Sequence, residues 1–314
     1  MDDLLAALKA IAEPTRLRIL ALCGHSEFTV SELVQILGQS QPRVSRHLKL
    51  LVDAKVLERH REGIWSYYRA AGSPPVAELA STVLDILPEA DATLSLDLKR
   101  LESLKAEREA RAQAYFKRNS ERWDEVRQLY VNEHEVESAL ADIARAEPAE
   151  ALLDIGTGTG RILELLGPQV DRAVGIDLSP DMLAVARTNL DRAQLPHCQV
   201  RKADMYQLPL PSDTFDLLTL HMVLHYAERP VQVLSEAARV LRPGGRVVIV
   251  DFAPHEEATL RTEHAHHWLG FSNEIISQWL QEAHLSAEAP MQLVGNPLTV
   301  KLWTARRPLP QELH

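Results

Sequence analysis

Asp154, Gly156, Gly158, Gly160, Asp177, Asp204, His221 and His225 are the residues whose types and spacing point most directly to chemistry. Asp154-x-Gly156-x-Gly158-x-Gly160 follows an apolar run (Ala151, Leu152, Leu153, Ile155) and leads into Ile162, Leu163, Leu165 and Leu166, which have helical spacing. A strand, a glycine turn and a helix make a nucleotide-binding corner, because glycine lets the backbone approach a ligand and take positive φ at little cost. The dinucleotide fingerprint G-x-G-x-x-G would need glycine where Arg161 stands. Asp177 ends a second apolar run, Ala173-Val174-Gly175-Ile176, about 20 residues past the turn, where a ribose-binding carboxylate belongs. Asp204 ends a third run, and His221 and His225 follow a fourth, Phe215 to Leu220. Imidazoles titrate near neutrality and can serve as general bases.

A second chemistry is written nearer the N-terminus. Val44, Leu48 and Leu51 recur at i, i+4 and i+7 behind Ser40-Gln41-Pro42, which predicts a helix with those three residues in the core. Gln41, Arg43, Arg46, His47 and Lys49, with Ser45 among them, are left for the other faces. Amides and guanidiniums suit base edges, and cations suit phosphates. Two strand-like runs follow, Val56 to His60 and Ile64 to Arg69, joined by Arg61-Glu62-Gly63. Such a hairpin would lay Arg61 along a phosphate backbone. The alternative is a helical bundle with a solvated basic face, but helix–turn–helix and wing occur in order and at plausible lengths.

The elements that must position these residues fall into two groups. Before the recognition helix, Leu4, Leu5, Leu8 and Ile11 predict one helix, Leu17 to Leu22 a second after Pro14, and Thr29-Val30-Ser31-Glu32 opens a third that Gly38 closes. Val76, Leu79, Ala80, Val83, Leu84 and Leu87 form a helical stripe that needs a partner, either across a dimer or on a second domain. The charged stretch from Asp91, with Leu94, Leu98, Leu101 and Leu104 on one face, reads as a helical connector. Tyr115, Phe116, Trp123, Asp124 and Tyr130 then precede the glycine corner, as packing residues or as a cover. From residue 151 strands and helices alternate, with Leu241-Arg242-Pro243-Gly244-Gly245 as a turn before a fifth strand, Val247 to Asp251. That order predicts a doubly wound α/β sheet with its site at the strand C-termini. His264, His266, His267 and Trp268 fall in an insertion placed to roof an acceptor pocket; they carry no metal motif such as H-E-x-x-H.

Bulk properties bound the function. At 314 residues the chain has room for two cores. A net charge of −10 argues against a protein that is basic all over, though not against a local basic face. Two widely separated cysteines, Cys23 and Cys198, suit a reducing compartment, and no signal peptide or bilayer-length apolar run is expected. The expectation is a cytoplasmic protein.

Glu13-Pro14-Thr15-Arg16-Leu17-Arg18-Ile19-Leu20, Ser45-Arg46-His47-Leu48-Lys49-Leu50-Leu51 and Gly63-Ile64-Trp65-Ser66-Tyr67-Tyr68-Arg69 resemble the ArsR family of winged-helix repressors. That resemblance implies a homodimer on an operator in double-stranded DNA. The family's metal-sensing cysteine pair is missing from the third helix, so no metal site is expected. Asp154-x-Gly-x-Gly-x-Gly, Asp177, Asp204 and Leu-Arg-Pro-Gly-Gly together resemble class I S-adenosylmethionine (SAM) methyltransferases of the ubiquinone/menaquinone-biosynthesis-like branch. This second resemblance implies SAM or S-adenosylhomocysteine as cofactor. Asp154 and the glycines, Gly156 foremost, would lie near the methionine moiety, Asp177 on ribose, Leu178 beside the adenosine, and Asp204 with Met205 at adenine. His221 would stand at the cofactor, and His221 and His225 would be the candidate bases for a hydroxyl or enol acceptor. Arsenic methylation would call for several cysteines, and Cys198 stands alone there.

The expected fold is therefore multidomain. An α+β winged helix-turn-helix over 1–90 is followed by a helical linker over 91–113 and a Rossmann-like α/β methyltransferase domain over 114–314. Two functions follow. In one the protein is a transcriptional regulator that senses SAM or S-adenosylhomocysteine; in the other it is a working methyltransferase of a small molecule, with the winged helix as a dimerisation or autoregulatory module.

Overall fold

A computed structural model describes residues 1–309 except 63–64, 72–73, 89–90, 128–132, 258, 265 and 297; for 112–113, 115–127 and 263 it describes the backbone alone. The chain forms two compact units, Met1–Arg111 and Ala112–His314.

The first unit opens with α1 (Asp2–Ile11) and α2 (Pro14–Cys23). Glu13 separates them: its backbone is extended, its carboxylate accepts the Arg16 N–H at 2.9 Å, and Pro14 supplies a preset first turn. A short strand, β1 (Phe28–Thr29), runs into α3 (Val30–Leu37), whose start is a full capping box between Thr29 and Glu32. Gly38 ends α3 in the left-handed region, and the turn it makes sets α4 (Gln41–Asp53) against α3. Ser40 holds the N-cap position of α4 without a capping hydrogen bond from its side chain, so Pro42 in the first turn is the stronger local signal. The hairpin of β2 (Leu57–Glu62) and β3 (Trp65–Ala70) completes the wing. β1 adds a third strand that sequence reasoning did not see, pairing Phe28 with Tyr68.

Two helices close this unit, α5 (Val76–Asp85) and α6 (Ala92–Arg127), and the division between the units falls inside α6. The α5 stripe finds its partner at home: Val76 and Ala80 are buried, and Leu79, Val83 and Leu84 pack against the unit's own core. The stretch expected as a linker behaves similarly. Leu101 and Leu104 are buried in that core, while Leu98 is exposed. The charges of α6 are clamps. Asp97 accepts from Arg18 Nε at 2.6 Å and Nη2 at 2.7 Å, Arg100 donates to the Ile36 carbonyl at 2.9 Å, and Arg108 donates to Glu32 at 2.9 Å. The side chains of Tyr115, Phe116, Trp123 and Asp124, and the whole of Tyr130, lie outside the described residues.

The second unit continues with α7 (Glu133–Arg145), β4 (Ala151–Ile155), α8 (Arg161–Leu166), β5 (Arg172–Asp177), α9 (Pro180–Arg192), β6 (Cys198–Lys202), β7 (Phe215–His221), α10 (Pro230–Val240) and β8 (Leu241–Phe252). Beyond them lie α11 (Thr259–Glu263), α12 (Asn273–Glu282), β9 (Ser286–Ala287), β10 (Met291–Leu293) and β11 (Val300–Arg306). The sheet order is β10-β11-β8-β7-β4-β5-β6, with β9 also on β11. β4 to β8 are parallel, and β11 returns antiparallel along β8, so the sheet is mixed and not wholly parallel.

Alternation along the strands divides two cores. Leu153, Ile155, Leu218, Leu220 and Ile249 face α10 and α12, whereas Leu152, Leu217, Val248 and Val250 face α7, α8 and α9. Leu241-Arg242-Pro243-Gly244-Gly245, expected as a free turn, is the irregular start of β8. The register on β7 jumps from Phe215–Leu241 to Leu217–Arg246, and Gly244 absorbs the extra residues at φ +81°. After β4 the chain builds outward through β5 and β6, then returns to the other side of β4 with β7. That reversal opens a crevice at the strand C-termini.

Candidate functional site

The residues picked out by their spacing stand along the C-terminal edge of β4 to β7. β4 ends at Ile155, and the next two amides, of Gly156 and Thr157, both donate to the Ile176 carbonyl of β5, at 2.9 and 2.8 Å. All three glycines of the turn have positive φ: +73° at Gly156, +52° at Gly158 and +80° at Gly160. A methyl group on Gly156 would meet Val223, and one on Gly160 would press on Ala186 of α9 at 3.1 Å. On Gly158 it would meet nothing within 4 Å among the described residues, which leave that face of the turn open.

Asp177 stands at the end of β5. Its Oδ2 accepts the Gly158 N–H at 2.9 Å and its Oδ1 the Ser179 N–H at 2.8 Å. One carboxylate thereby fixes the turn and the start of α9, and its remaining lone pairs are left for a ligand. Leu178, next to it, is 57% exposed although apolar. Asp204 lies two residues past β6, is exposed, and accepts the Tyr206 N–H at 2.9 Å, while Met205 packs partly against the core.

Asp154 is buried. Its Oδ1 accepts from the Thr219 hydroxyl at 2.7 Å, and Oδ2 has no hydrogen-bond partner among the described residues. Burial pushes its pKa up to about 6; the Thr219 and Thr157 hydroxyls pull against that shift, and the Asp177 charge adds to it. His221 ends β7 with Nε2 buried and without a hydrogen-bond partner among the described residues. Burial takes its pKa down to about 4, against the pull of Asp251 and Glu137, so the ring is neutral at pH 7. Met222 follows at φ +51°, a strained position for a non-glycine residue at a strand end. His225 is buried, with Nδ1 at 2.8 Å from Asp251 and its ring stacked on His266 at 3.9 Å.

Thr219, Val223 and Asp251 are the residues that sequence reasoning passed over. Asp251 carried a usable signal: it ends an apolar strand as Asp177 does. Burial, with the neighbouring His225, takes the pKa of His266 down to about 3.

The basic face of the first unit is equally defined. Val44, Leu48 and Leu51 are buried, whereas Gln41, Arg43, Ser45, Arg46 and Lys49 of α4 and Arg59 and Arg61 of β2 are exposed. None of these five cations has an ion-pair partner among the described residues. His47 departs from the expectation of an exposed contact. Its ring turns toward Glu13, 3.5 Å away, leaving the side chain 12% exposed. Burial lowers its pKa, and so do the charges of Arg16, Arg43 and Arg46, with Glu13 opposing.

Residues 153–249 match the family described as a methyltransferase domain, and residues 11–60 match a helix-turn-helix domain. The chain joins a helix-turn-helix domain to a methyltransferase domain. A demethylmenaquinone methyltransferase of Thermus thermophilus is 36% identical over 117 residues, covering 36% of this chain and 52% of that protein. A ubiquinone/menaquinone biosynthesis C-methyltransferase of a Ruegeria species is 30% identical over 154 residues, covering 47% and 61%. The chain thus spans about half the length of the relatives it matches. A crystal structure from Bacillus halodurans, assigned as a methyltransferase, superposes with a TM-score of 0.50 at 21% identity, over 55% of this chain and 98% of that one; it speaks to fold alone. Among the described residues no helix is long and apolar enough to cross a membrane.

Proposed function

We propose that the second unit binds SAM in the crevice at the ends of β4 to β7 and transfers its methyl group to a small molecule. The first unit, an ArsR-type winged helix, would bind operator DNA as a homodimer. The observation that carries the cofactor reading is Asp177, bonded to the turn through Gly158 yet left with lone pairs at the end of β5. The residues present fit the group. Gly158 leaves open space for a ligand, exposed Leu178 offers an apolar surface for adenine, and the idle Oδ2 of Asp154 can take a donor such as an ammonium. SAM supplies an electrophilic methyl on a sulfonium, and the protein's contribution is to hold the nucleophile in line with it. His221, neutral and at the end of β7, adds a hydrogen-bonding group at the same edge.

Asp177→Ala should weaken SAM and S-adenosylhomocysteine alike, since the lost charge-assisted hydrogen bonds are worth about 1.5–3 kcal/mol. Calorimetry on the folded variant tests this. Unchanged affinity, or tight NADH binding by the unmodified protein, would end the methyltransferase reading.

The five cations of α4 and β2, without ion-pair partners among the described residues, favour DNA binding, and a second role would follow if cofactor occupancy altered that binding, namely regulation of transcription. Arg46→Ala should reduce affinity for a promoter fragment by about 1–3 kcal/mol if Arg46 meets a base edge. Titrations of that fragment with no ligand, with SAM and with S-adenosylhomocysteine separate the roles. Superimposable curves with confirmed cofactor binding leave the enzyme; distinct curves make the second unit a sensor, with coupling of about 1–3 kcal/mol.

A further inference from the structure

A second polar cluster lies beside the glycine turn, at the C-terminal end of β8. Asp251 is fully buried there. Its Oδ1 accepts the Phe252 N–H at 2.8 Å and faces His225 Nδ1 at 2.8 Å, and its Oδ2 accepts the His225 N–H at 3.2 Å. Both oxygens thus act as acceptors, and a carboxylate only accepts. Nδ1 of His225 therefore carries the proton, and Nε2 keeps its lone pair with no hydrogen-bond partner among the described residues.

The surroundings of this pair are unusually unsatisfied. His266, stacked on His225, is 2% exposed, and neither of its ring nitrogens has a hydrogen-bond partner among the described residues. Nε2 of His221 and Nε2 of His255 are also buried and without a hydrogen-bond partner among the described residues. A neutral imidazole always has one donor and one acceptor to satisfy, so four idle nitrogens mark a place where a ligand belongs. Among the described residues no three His, Cys, Asp or Glu side chains are placed to hold a metal ion. Nor does the cluster suit an anion. The buried carboxylate of Asp251 already stands in it, and the rings packed on His225 and His266, those of Tyr226 and Phe252, bring no positive charge. The cluster adjoins the cofactor crevice, because Val223, two residues before His225, lies against Gly156.

We propose that His225, positioned by Asp251, is the proton acceptor for methyl transfer, and that the methyl acceptor enters as an uncharged hydroxyl compound hydrogen-bonded to the idle imidazoles. The inference rests on the methyltransferase reading above. The hydroxyl proton passes to Nε2 of His225 as the oxygen's electron pair forms its bond to the methyl carbon, whose former bonding pair stays on the donor sulfur. Asp251 holds Nδ1–H and stabilises the imidazolium, which afterwards returns its proton to water.

The test uses full-length protein with 15N-labelled histidine, loaded with S-adenosylhomocysteine and followed by long-range 15N–1H NMR at pH 7. Phenol and benzoate are the neutral and anionic probes. His225 should show a protonated Nδ1 and a bare Nε2, phenol should move the Nε2 resonance, and benzoate should not. Asp251→Asn should populate the other tautomer and weaken phenol about tenfold, the equivalent of one hydrogen bond, without changing affinity for S-adenosylhomocysteine. His266→Phe, which keeps the stacked ring, should weaken phenol while leaving the His225 tautomer as it is. A bare Nδ1, an Nε2 signal that phenol leaves unmoved, or an equal response to benzoate would each overturn the proposal, and the first and second need no variant to fold. Failure to bind S-adenosylhomocysteine would instead count against the cofactor reading, and the tautomer and probe arms can still be read without it.

Discussion

Gly156→Ala should destabilise the second unit by about 2–5 kcal/mol and abolish measurable binding of S-adenosylhomocysteine. Two penalties add at this one position. The backbone sits at φ +73°, where an L side chain costs about 1–2 kcal/mol. The new methyl would also collide with Cγ2 of Val223 and fall 2.8 Å from its Cβ. Valine is stiff at χ1, so the ring of contacts cannot relax by rotating one bond, and overpacking adds about 1–3 kcal/mol. Either the turn or the 221–226 segment must move, and both line the crevice. Gly158→Ala is the informative comparison. It meets only the conformational penalty, about 1–2 kcal/mol, because its methyl points into open space. Denaturation followed at the second unit, with calorimetry alongside, measures both; equal losses for the two variants would show that the contact with Val223 is not what the turn depends on.

Arg18→Ala should destabilise the first unit by about 3–5 kcal/mol, the usual result of leaving a buried charge without its partner. Asp97 is the charge in question: its side chain is 2% exposed, and both of its oxygens are bonded to the Arg18 guanidinium. The same substitution removes a donor from the Leu37 carbonyl at the end of α3. Arg18→Ala with Asp97→Leu should recover most of the loss, since an apolar pair needs no counter-charge. Hydrogen exchange of the α2 and α3 amides reads the first unit separately, and unchanged binding of S-adenosylhomocysteine provides the control. A single variant as stable as the parent protein would mean that the pair is screened by water and contributes little.

These two positions also show what a sequence can and cannot disclose. Gly156 is legible because its meaning is local: a strand, a turn and a helix are adjacent in the chain, and alternating glycines have few other uses. The positions of Asp177 and Asp204 were legible for a related reason, since strand ends in an alternating α/β pattern must fall on one edge. Asp97 was not. It sits in a charged helix that reads as a solvated connector, and its partner is 79 residues away. Arg108 and Glu32, 76 residues apart, were hidden in the same way. Helical periodicity put His47 on the polar side of α4, but periodicity carries no information about Glu13, which draws the ring inward. Asp251 was read as the end of a strand and no more, because its significance depends on a histidine 26 residues earlier. The short antiparallel strands β9 and β10 have too few residues for alternation to announce them.

The buried titratable groups of the crevice make unfolding of the second unit an exchange of protons with the buffer. His221 and His266 have folded pKa values of about 4 and about 3, below the ordinary 6.5 of the unfolded chain. Their contribution to stability is present above pH 6.5 and is lost as pH falls from there toward 4. Asp154, with a folded value of about 6 against 3.8 unfolded, works in the opposite direction: its contribution is present below pH 3.8 and is lost as pH rises through 6. Between those limits two imidazoles take up protons on unfolding and one carboxyl gives one up, a net uptake of about one, so stability should rise by about 1.4 kcal/mol per pH unit. The heat of unfolding then includes the ionisation heat of whatever buffer supplies that proton. At pH 5.5, scans in two buffers of unequal ionisation enthalpy should give unfolding enthalpies that differ by about one such increment. Identical enthalpies would mean that the crevice neither takes up nor releases protons as it opens.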